Sequence, residues 1–365
     1  MKDGYTNEDL LLVWLAACAG LDERAKNEIA QVCARGVSAK HLEKICGAVI
    51  QTGANRVYKD GCAAIRQEAE GYLLRLSGAG GFAVTLAGTD YPESLRAIPD
   101  PPLALFCAGK RELLNGRKFC IVGSRMLPAW AQAVGKKISS ELSERFAVVT
   151  GIAEGGDRAA IDGAVASGKL ICVLPCGLDA DYPASHASLK REIAKRGLLV
   201  SEVPLGVRAQ KFSFHARNRI LAGLSEGVLV LAAGERSGAL ITANCAAEFG
   251  RDVFALPYRP NETRGAGCND LLKKGASLVT EAEDILSFYG FETQKQEESA
   301  EEKGPSLTPE ERRVYEVLRE GGELHSSVLA ERAGMKIFEA AAVLSSLELK
   351  GLAVKAGGNR YSLAH

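Results

Sequence analysis

The sequence predicts an α/β protein: a doubly wound parallel sheet, preceded by a helical domain and followed by a winged helix. Three observations predict it. Between about residues 116 and 290, short, nearly continuous apolar runs alternate with segments of helical period. That alternation describes strands buried on both faces and crossed by helices. Residues 1–77 carry apolar positions only at helical spacing, and residues 307–365 give three helical segments followed by a hairpin signal.

In the first region, helices are expected over Leu10–Cys18, Ala25–Cys33, Ala39–Val49 and Asn55–Ser77, broken by Gly20, Gly36 and Gly53. Short helices joined by glycine turns resemble the SAM or helix-hairpin-helix (HhH) modules that in some proteins hold DNA backbone. Ala19-Gly20-Leu21-Asp22 lacks the paired glycines that would bring two amides to a phosphate, so packing or protein contact is the favoured role. Residues 78–115 read as a proline-containing connector leading into the central domain, which thus spans 78–290. Short strands are expected there at Thr85–Ala87 and Leu103–Cys107.

The central strands are expected at Phe119–Val122, Ala147–Thr150, Leu170–Leu174, Leu198–Ser201, Val228–Leu231, Asp252–Ala255 and Ser277–Val279. The helices between them are expected near Ala129–Phe146, Gly156–Ser167, Leu189–Arg196, Arg217–Ser225, Ala239–Phe249 and Cys268–Lys274. Ligands of such sheets sit beyond the carboxyl ends of the strands, at the point where strand order reverses. The segment 291–306 is acidic and reads as a linker. Thr308 and Pro309 then open a helix as cap and first residue. Helices Ser326–Ala333 and Ile337–Lys350 follow, and strands Leu352–Lys355 and Arg360–Leu363 make the wing. The third helix contains Glu339 and Glu348 and no basic residue. A major-groove reader normally presents Arg, Lys, Asn or Gln, so a protein contact is favoured there.

Composition narrows the function. The 365 residues hold 45 Lys and Arg against 45 Asp and Glu, so only local basic clusters favour a polyanion. No apolar run reaches the roughly 18 residues of a membrane span, and Met1–Gly4 lacks a signal-peptide layout. A cytoplasmic protein is expected. The ten cysteines include no Cys-x-x-Cys, so free thiols, no metal and no cofactor are expected. Five histidines, without a nucleophile elbow, zincin or Walker motif, leave catalysis without an acid/base constellation. Cys176 has no evident base to activate it.

The polyanion candidates are four. Gly123-Ser124-Arg125 follows a strand and precedes a helix, so its amides and the helix start are expected to face an anion, with Arg125 free to take a phosphate bidentately. The glycines of Thr150–Gly156, Gly151 included, let backbone line a crevice, and Asp157 is either a helix cap or an orienting partner for an arginine. Arg208–Arg219 holds Arg208, Lys211, Arg217 and Arg219, interleaved with Phe212, Phe214 and His215 and free of acids. Basic groups for the backbone and aromatics for the bases suit single-stranded nucleic acid. Asn218 either bonds a base edge or braces the loop. Ser237, Gly238 and Thr242 mark a second helix start aimed at the same crevice.

The chain resembles the DNA-processing protein A (DprA/Smf) family. The resemblance is carried by Ile121–Arg125, Thr150–Ala153 with Gly156-Asp157, Pro175–Asp179 with Tyr182-Pro183, Ser201-Glu202, Phe214 with Arg217–Ser225, and Ser237–Ala243. It implies an extended Rossmann-like fold that binds single-stranded DNA as a homodimer. It also implies loading of RecA recombinase onto incoming DNA in natural transformation, displacing or sharing single-strand-binding protein. It implies no enzymatic turnover. It assigns the DNA pocket to Ser124, Arg125, Lys211, Phe214, Arg217 and Asn218, beside the Ser237-Gly238 turn. The family usually has Gly-Ile-Asp and then Ala-His where this chain reads Gly155-Gly156-Asp157 and Ile161-Asp162, and the chain also departs from the family pattern at Ala232 and Tyr258. Two other readings are a phosphoribohydrolase-type nucleotide enzyme and a nucleotide-sensing winged-helix regulator. The first lacks its Pro-Gly-Gly-x-Gly-Thr loop at Ala233–Gly238, and the acidic third helix argues against the second.

Overall fold

A computed structural model describes residues 4–18, 20–34, 39–52, 61–291, 307–356 and 358–363. The expected linker over 292–306, turn positions Gly36 and Gly53, and the start of the fourth helix at Asn55 fall outside them. Two compact units form, Met1–Glu292 and Thr293–His365.

The first unit opens with helices α1 (Asn7–Ala17), α2 (Glu23–Ala34), α3 (Ala39–Thr52) and α4 (Gly61–Gly78). Thr6 and Asp9 form a reciprocal cap on α1, which satisfies amides that the helix itself leaves unpaired. Leu11 to Ala16 are all buried, so α1 is a core helix. It is tied to the sheet by the Tyr5 hydroxyl, which donates to Ala83 O at 3.1 Å. One continuous apolar core runs from α1 through the sheet.

The sheet has nine strands. They are β1 (Gly81–Thr85), β2 (Ala104–Gly109), β3 (Lys118–Val122), β4 (Ala147–Thr150), β5 (Leu170–Leu174), β6 (Leu198–Ser201), β7 (Gly227–Val230), β8 (Asp252–Ala255) and β9 (Ser277–Leu278). Their order is β1-β2-β6-β5-β4-β3-β7-β8-β9, antiparallel at β1, β2 and β6 and parallel from β6 to β9. The connector is therefore an antiparallel extension of the sheet, and its first strand lies four residues earlier than Thr85–Ala87. Strand order reverses at β3, which pairs β4 on one side (Cys120 with Val149) and β7 on the other (Val122 with Val230).

Between the strands run α5 (Glu93–Arg96), α6 (Ala129–Leu142), α7 (Gly156–Ala164), α8 (Ala187–Arg196), α9 (Lys211–Leu224), α10 (Gly238–Glu248), α11 (Ala266–Lys273) and α12 (Ala282–Phe288). Helix α12 is unforeseen in the sequence. Asp284 starts it by accepting the Thr280 and Glu281 amides at 2.7 and 3.1 Å. It leads into Tyr289, which packs on Phe119 and Phe146 with ring centroids at 6.1 and 5.6 Å. No helix of the described residues is long and apolar enough to cross a membrane.

The second unit has α13 (Pro309–Gly321), β10 (Leu324–His325), α14 (Ser326–Arg332), α15 (Ile337–Leu349), β11 (Ala353–Ala356) and β12 (Arg360–Leu363). It is a winged helix with a small third strand, β10, paired to β12. Thr308 caps α13 in a box with Glu311. Glu311 also reaches α15, accepting from Ser346 Oγ at 2.6 Å and Lys350 Nζ at 2.7 Å.

Candidate nucleic-acid interface

The loops after β3, β4 and β7 meet the flank of α9 and the start of α10 at the carboxyl edge of the sheet. They enclose a crevice of about 390 Å³ where the strand order reverses. Gly123, Ser124, Arg125, Phe214, Arg217, Asn218, Ser237, Gly238 and Thr242 all line it. These nine residues singled out from the sequence are thus brought together, and Asp157 lines the crevice with them.

The β3 loop is held tightly. Ser124 N–H donates to Ala232 O at 2.8 Å, and Ser124 O accepts from Gly156 N–H at 3.1 Å. A Cβ on Gly156 would fall 2.3 Å from Gly123 Cα, so both loops need glycine to pass. Gly155 lies at φ 78° and starts α7. These bonds alter one expectation. The Ser124 amide is already paired, the Met126 amide donates to Ser124 Oγ at 3.3 Å, and α6 starts only at Ala129. What this loop offers an anion is the Arg125 side chain. The free helix start in the crevice belongs to α10, where the Ser237 hydroxyl accepts Ala239 N–H at 3.4 Å and the leading N–H groups favour negative charge.

Arg125 is exposed. Its guanidinium carbon lies 5.6 Å from the Phe214 ring centroid, and its Nη2 donates to the Tyr182 hydroxyl at 3.3 Å. Tyr182 meets Phe214 edge-to-face at 5.1 Å. A cation thus stands beside two aromatic rings at a polar mouth. Tyr182 belongs to the Tyr182-Pro183 motif but not to the site expected from the sequence. Its signal is slight, because it reaches Arg125 across 57 residues of sequence.

Arg217 is buried in the crevice wall, where its Nη1 donates to Val173 O at 2.8 Å. Asp157 approaches to 4.0 Å and accepts the Ala153 amide at 3.1 Å. Gly155 holds the cap position of α7, so Asp157 serves as the orienting partner. Burial pushes its carboxyl above the usual range, and Arg217 opposes that rise. Gly151 is the floor beneath this pair. A Cβ there would lie 2.1 Å from Arg217 Nη1 and 2.2 Å from Asp157 Oδ2, so its role is clearance rather than contact. Asn218 Nδ2 donates to Gly238 O at 3.2 Å, which braces α9 to α10.

Two other residues stand apart. The helix expected from Arg217 begins at Lys211 instead, and Lys211 is exposed on the first turn of α9, outside the crevice lining. Arg219 is a correction. It is buried and ion-paired to Glu202 at 2.7 Å and to Asp100 at 3.1 Å, so its charge is neutralised inside the fold. Of the departures from the family pattern, Asp162 pairs with Arg158 at 2.7 Å. Tyr258 donates its hydroxyl to Leu231 O at 2.7 Å. Ala232 supplies the carbonyl that holds Ser124. The Asp162 pair lies within α7, while Tyr258 and Ala232 bond the segments next to the crevice. Cys176 is buried, and burial pushes its thiol up, against the pull of Lys190, which is opposite to what a nucleophile needs.

Residues 82–290 match the family model described as DNA recombination-mediator protein A, and residues 298–359 match the DprA winged helix domain. The chain belongs to the DprA family. It is 38% identical to Protein Smf of Escherichia coli K12 over 278 residues, covering 73% of this chain and 74% of that one. It is 41% identical to DNA processing protein DprA of Streptococcus pneumoniae over 202 residues, 55% of this chain and 72% of that one. The X-ray structure of DprA from S. pneumoniae superposes with a TM-score of 0.62 at 32% identity, covering 79% of this chain and 99% of that chain. A DprA structure from Helicobacter pylori, described for its single-stranded-DNA binding mode, superposes with a TM-score of 0.52 at 32% identity. It covers 57% of this chain and 95% of that chain.

Proposed function

We propose that this chain holds single-stranded DNA in the crevice and acts as a recombination mediator. In this reading it loads RecA recombinase onto incoming DNA during natural transformation, displacing or sharing single-strand-binding protein. It works in the cytoplasm as a homodimer, without turnover chemistry. The observation that carries the reading is that Arg125 and Phe214 line one crevice with the start of α10, and that Tyr182 touches them both. An arginine and a helix start take a phosphate, while ring faces take an unstacked base whatever its identity. A duplex keeps its bases stacked and offers the rings nothing. Membership of a recombination-mediator family and the single-strand binding described for the H. pylori neighbour support the same reading.

The test is fluorescence anisotropy of a labelled dT oligonucleotide against the matching duplex. Single strand is expected to bind in preference, and Arg125→Ala is expected to weaken it by at least about ten-fold, the scale of one charge-assisted contact. Equal, weak binding of both DNAs, unchanged in the variant, would sink the reading. RecA loading is read separately, as RecA filament formation on DNA coated with single-strand-binding protein.

A further inference from the structure

A second cavity, of about 270 Å³, lies on the opposite flank of α9. Ala17 and Leu21 from the helical region, Val203 and Val207 from the segment after β6, and Phe212 of α9 form its apolar wall. We propose that this cavity is a second nucleobase subsite, continuing the path of a single strand from the crevice onto the N-terminal helices. The inference rests on the DNA reading above and deepens it.

The geometry of α9 is the first argument. At about 100° per residue, positions two apart project from opposite sides of a helix. Phe212 lines the apolar cavity and Phe214 lines the crevice. The first turn of α9 is therefore a ridge with one aromatic ring on each side. Arg217 lines both cavities, so little more than a side chain separates them. The second argument is exposure. Phe212 is 59% exposed, so a ring that burial would stabilise is left at the mouth of an apolar cavity. The third is charge. Lys211 is exposed on the ridge and Arg208 is exposed just before it, placed for the phosphate that joins a base on one side to a base on the other. The apolar wall disfavours a phosphate and suits the face of a base, where stacking tolerates any sequence.

The experiment measures dT oligomers of increasing length against wild type, Phe212→Ala and Ala17→Trp, with Arg125→Ala alongside. Phe212 is exposed, so its removal leaves the fold intact; Ala17→Trp fills the cavity from the other wall. Both variants are expected to lose about ten-fold in affinity for the longer oligomers and nothing for the shortest ones, which the crevice alone holds. A 2-aminopurine scan should show a second quenched position that disappears in Phe212→Ala. Affinity equal to wild type at every length overturns the subsite and leaves the cavity to an apolar peptide or small molecule. Arg125→Ala tells the two readings apart: if it still loses binding, only the subsite has failed, and if it binds normally, the crevice reading has failed with it.

Discussion

Arg217 and Arg219 are two residues apart on α9, yet their guanidinium groups meet unlike surroundings. Arg217 turns to the crevice wall and Asp157, while Arg219 turns inward to Glu202 and Asp100. Burial of Asp100 raises its carboxyl pKa, and the Arg219 charge opposes that rise. Removing one member of such a cluster leaves buried charge without a partner. Arg219→Ala is therefore expected to lower unfolding stability by about 3 kcal/mol, read as a lower urea midpoint, with the DNA affinity of the folded fraction unchanged. A normal midpoint together with lost DNA binding would return Arg219 to the interface. In the sequence these arginines look alike, because both sit in one acid-free basic stretch. Their partners lie far away, at residues 100, 157 and 202, and no local pattern points to them.

Elements were legible where burial writes a period into the sequence. Strands β4, β5, β6 and β8 lie where the apolar runs place them, because β4, β5 and β6 are buried on both faces and β8 in its second half, so most of their positions are apolar. Helix α9 begins six residues ahead of its apolar period, at Lys211 rather than Arg217. Its first turns carry charged and aromatic residues that face the two cavities, so site chemistry overrides the amphipathic pattern there. The winged helix shows a local signal read correctly, the Thr308 cap, with a consequence that only the tertiary structure shows. Glu311 of that cap is also bonded by Lys350 and Ser346, which with the Thr308 amide hold its carboxyl down to about 2, below its ordinary 4.5. A depressed carboxylate stabilises the folded form above its unfolded pKa and loses that contribution as pH falls through the folded value. The winged helix is expected to lose stability between about pH 4.5 and 2, and Glu311→Gln is expected to flatten that loss. Thermal melts across this range check it, and identical pH profiles for the two proteins would refute it.

At the scale of the whole molecule, 45 basic and 45 acidic side chains cancel, so no general field gathers DNA. The proposed binding therefore rests on the few cations at the crevice and along the ridge of α9. Each phosphate neutralised on a single strand contributes about 0.7 to the slope of log affinity against log salt. Arg125→Ala is expected to reduce that slope by about 0.7, measured by anisotropy from low to moderate salt. A slope unchanged in the variant would place Arg125 outside the phosphate path. The winged helix presents Phe338, Ala341, Ala342 and Leu349 to solvent along α15. That face carries none of the Arg, Lys, Asn or Gln side chains that read a DNA groove.

By itself, the sequence determined the α/β class, most of the parallel strands, the winged helix and the three loops that converge on the crevice. Those features are encoded locally, in apolar period, in caps and in glycines where two backbones must pass. Only the tertiary structure decided which arginine faces the crevice and which is neutralised, that Gly151 is clearance for Arg217, that Tyr182 stands against Arg125, and that α9 divides two cavities. The physical reason is non-locality. A side chain's role depends on the phase of its helix and on groups brought beside it from distant positions, and those neighbours exist only once the chain has folded.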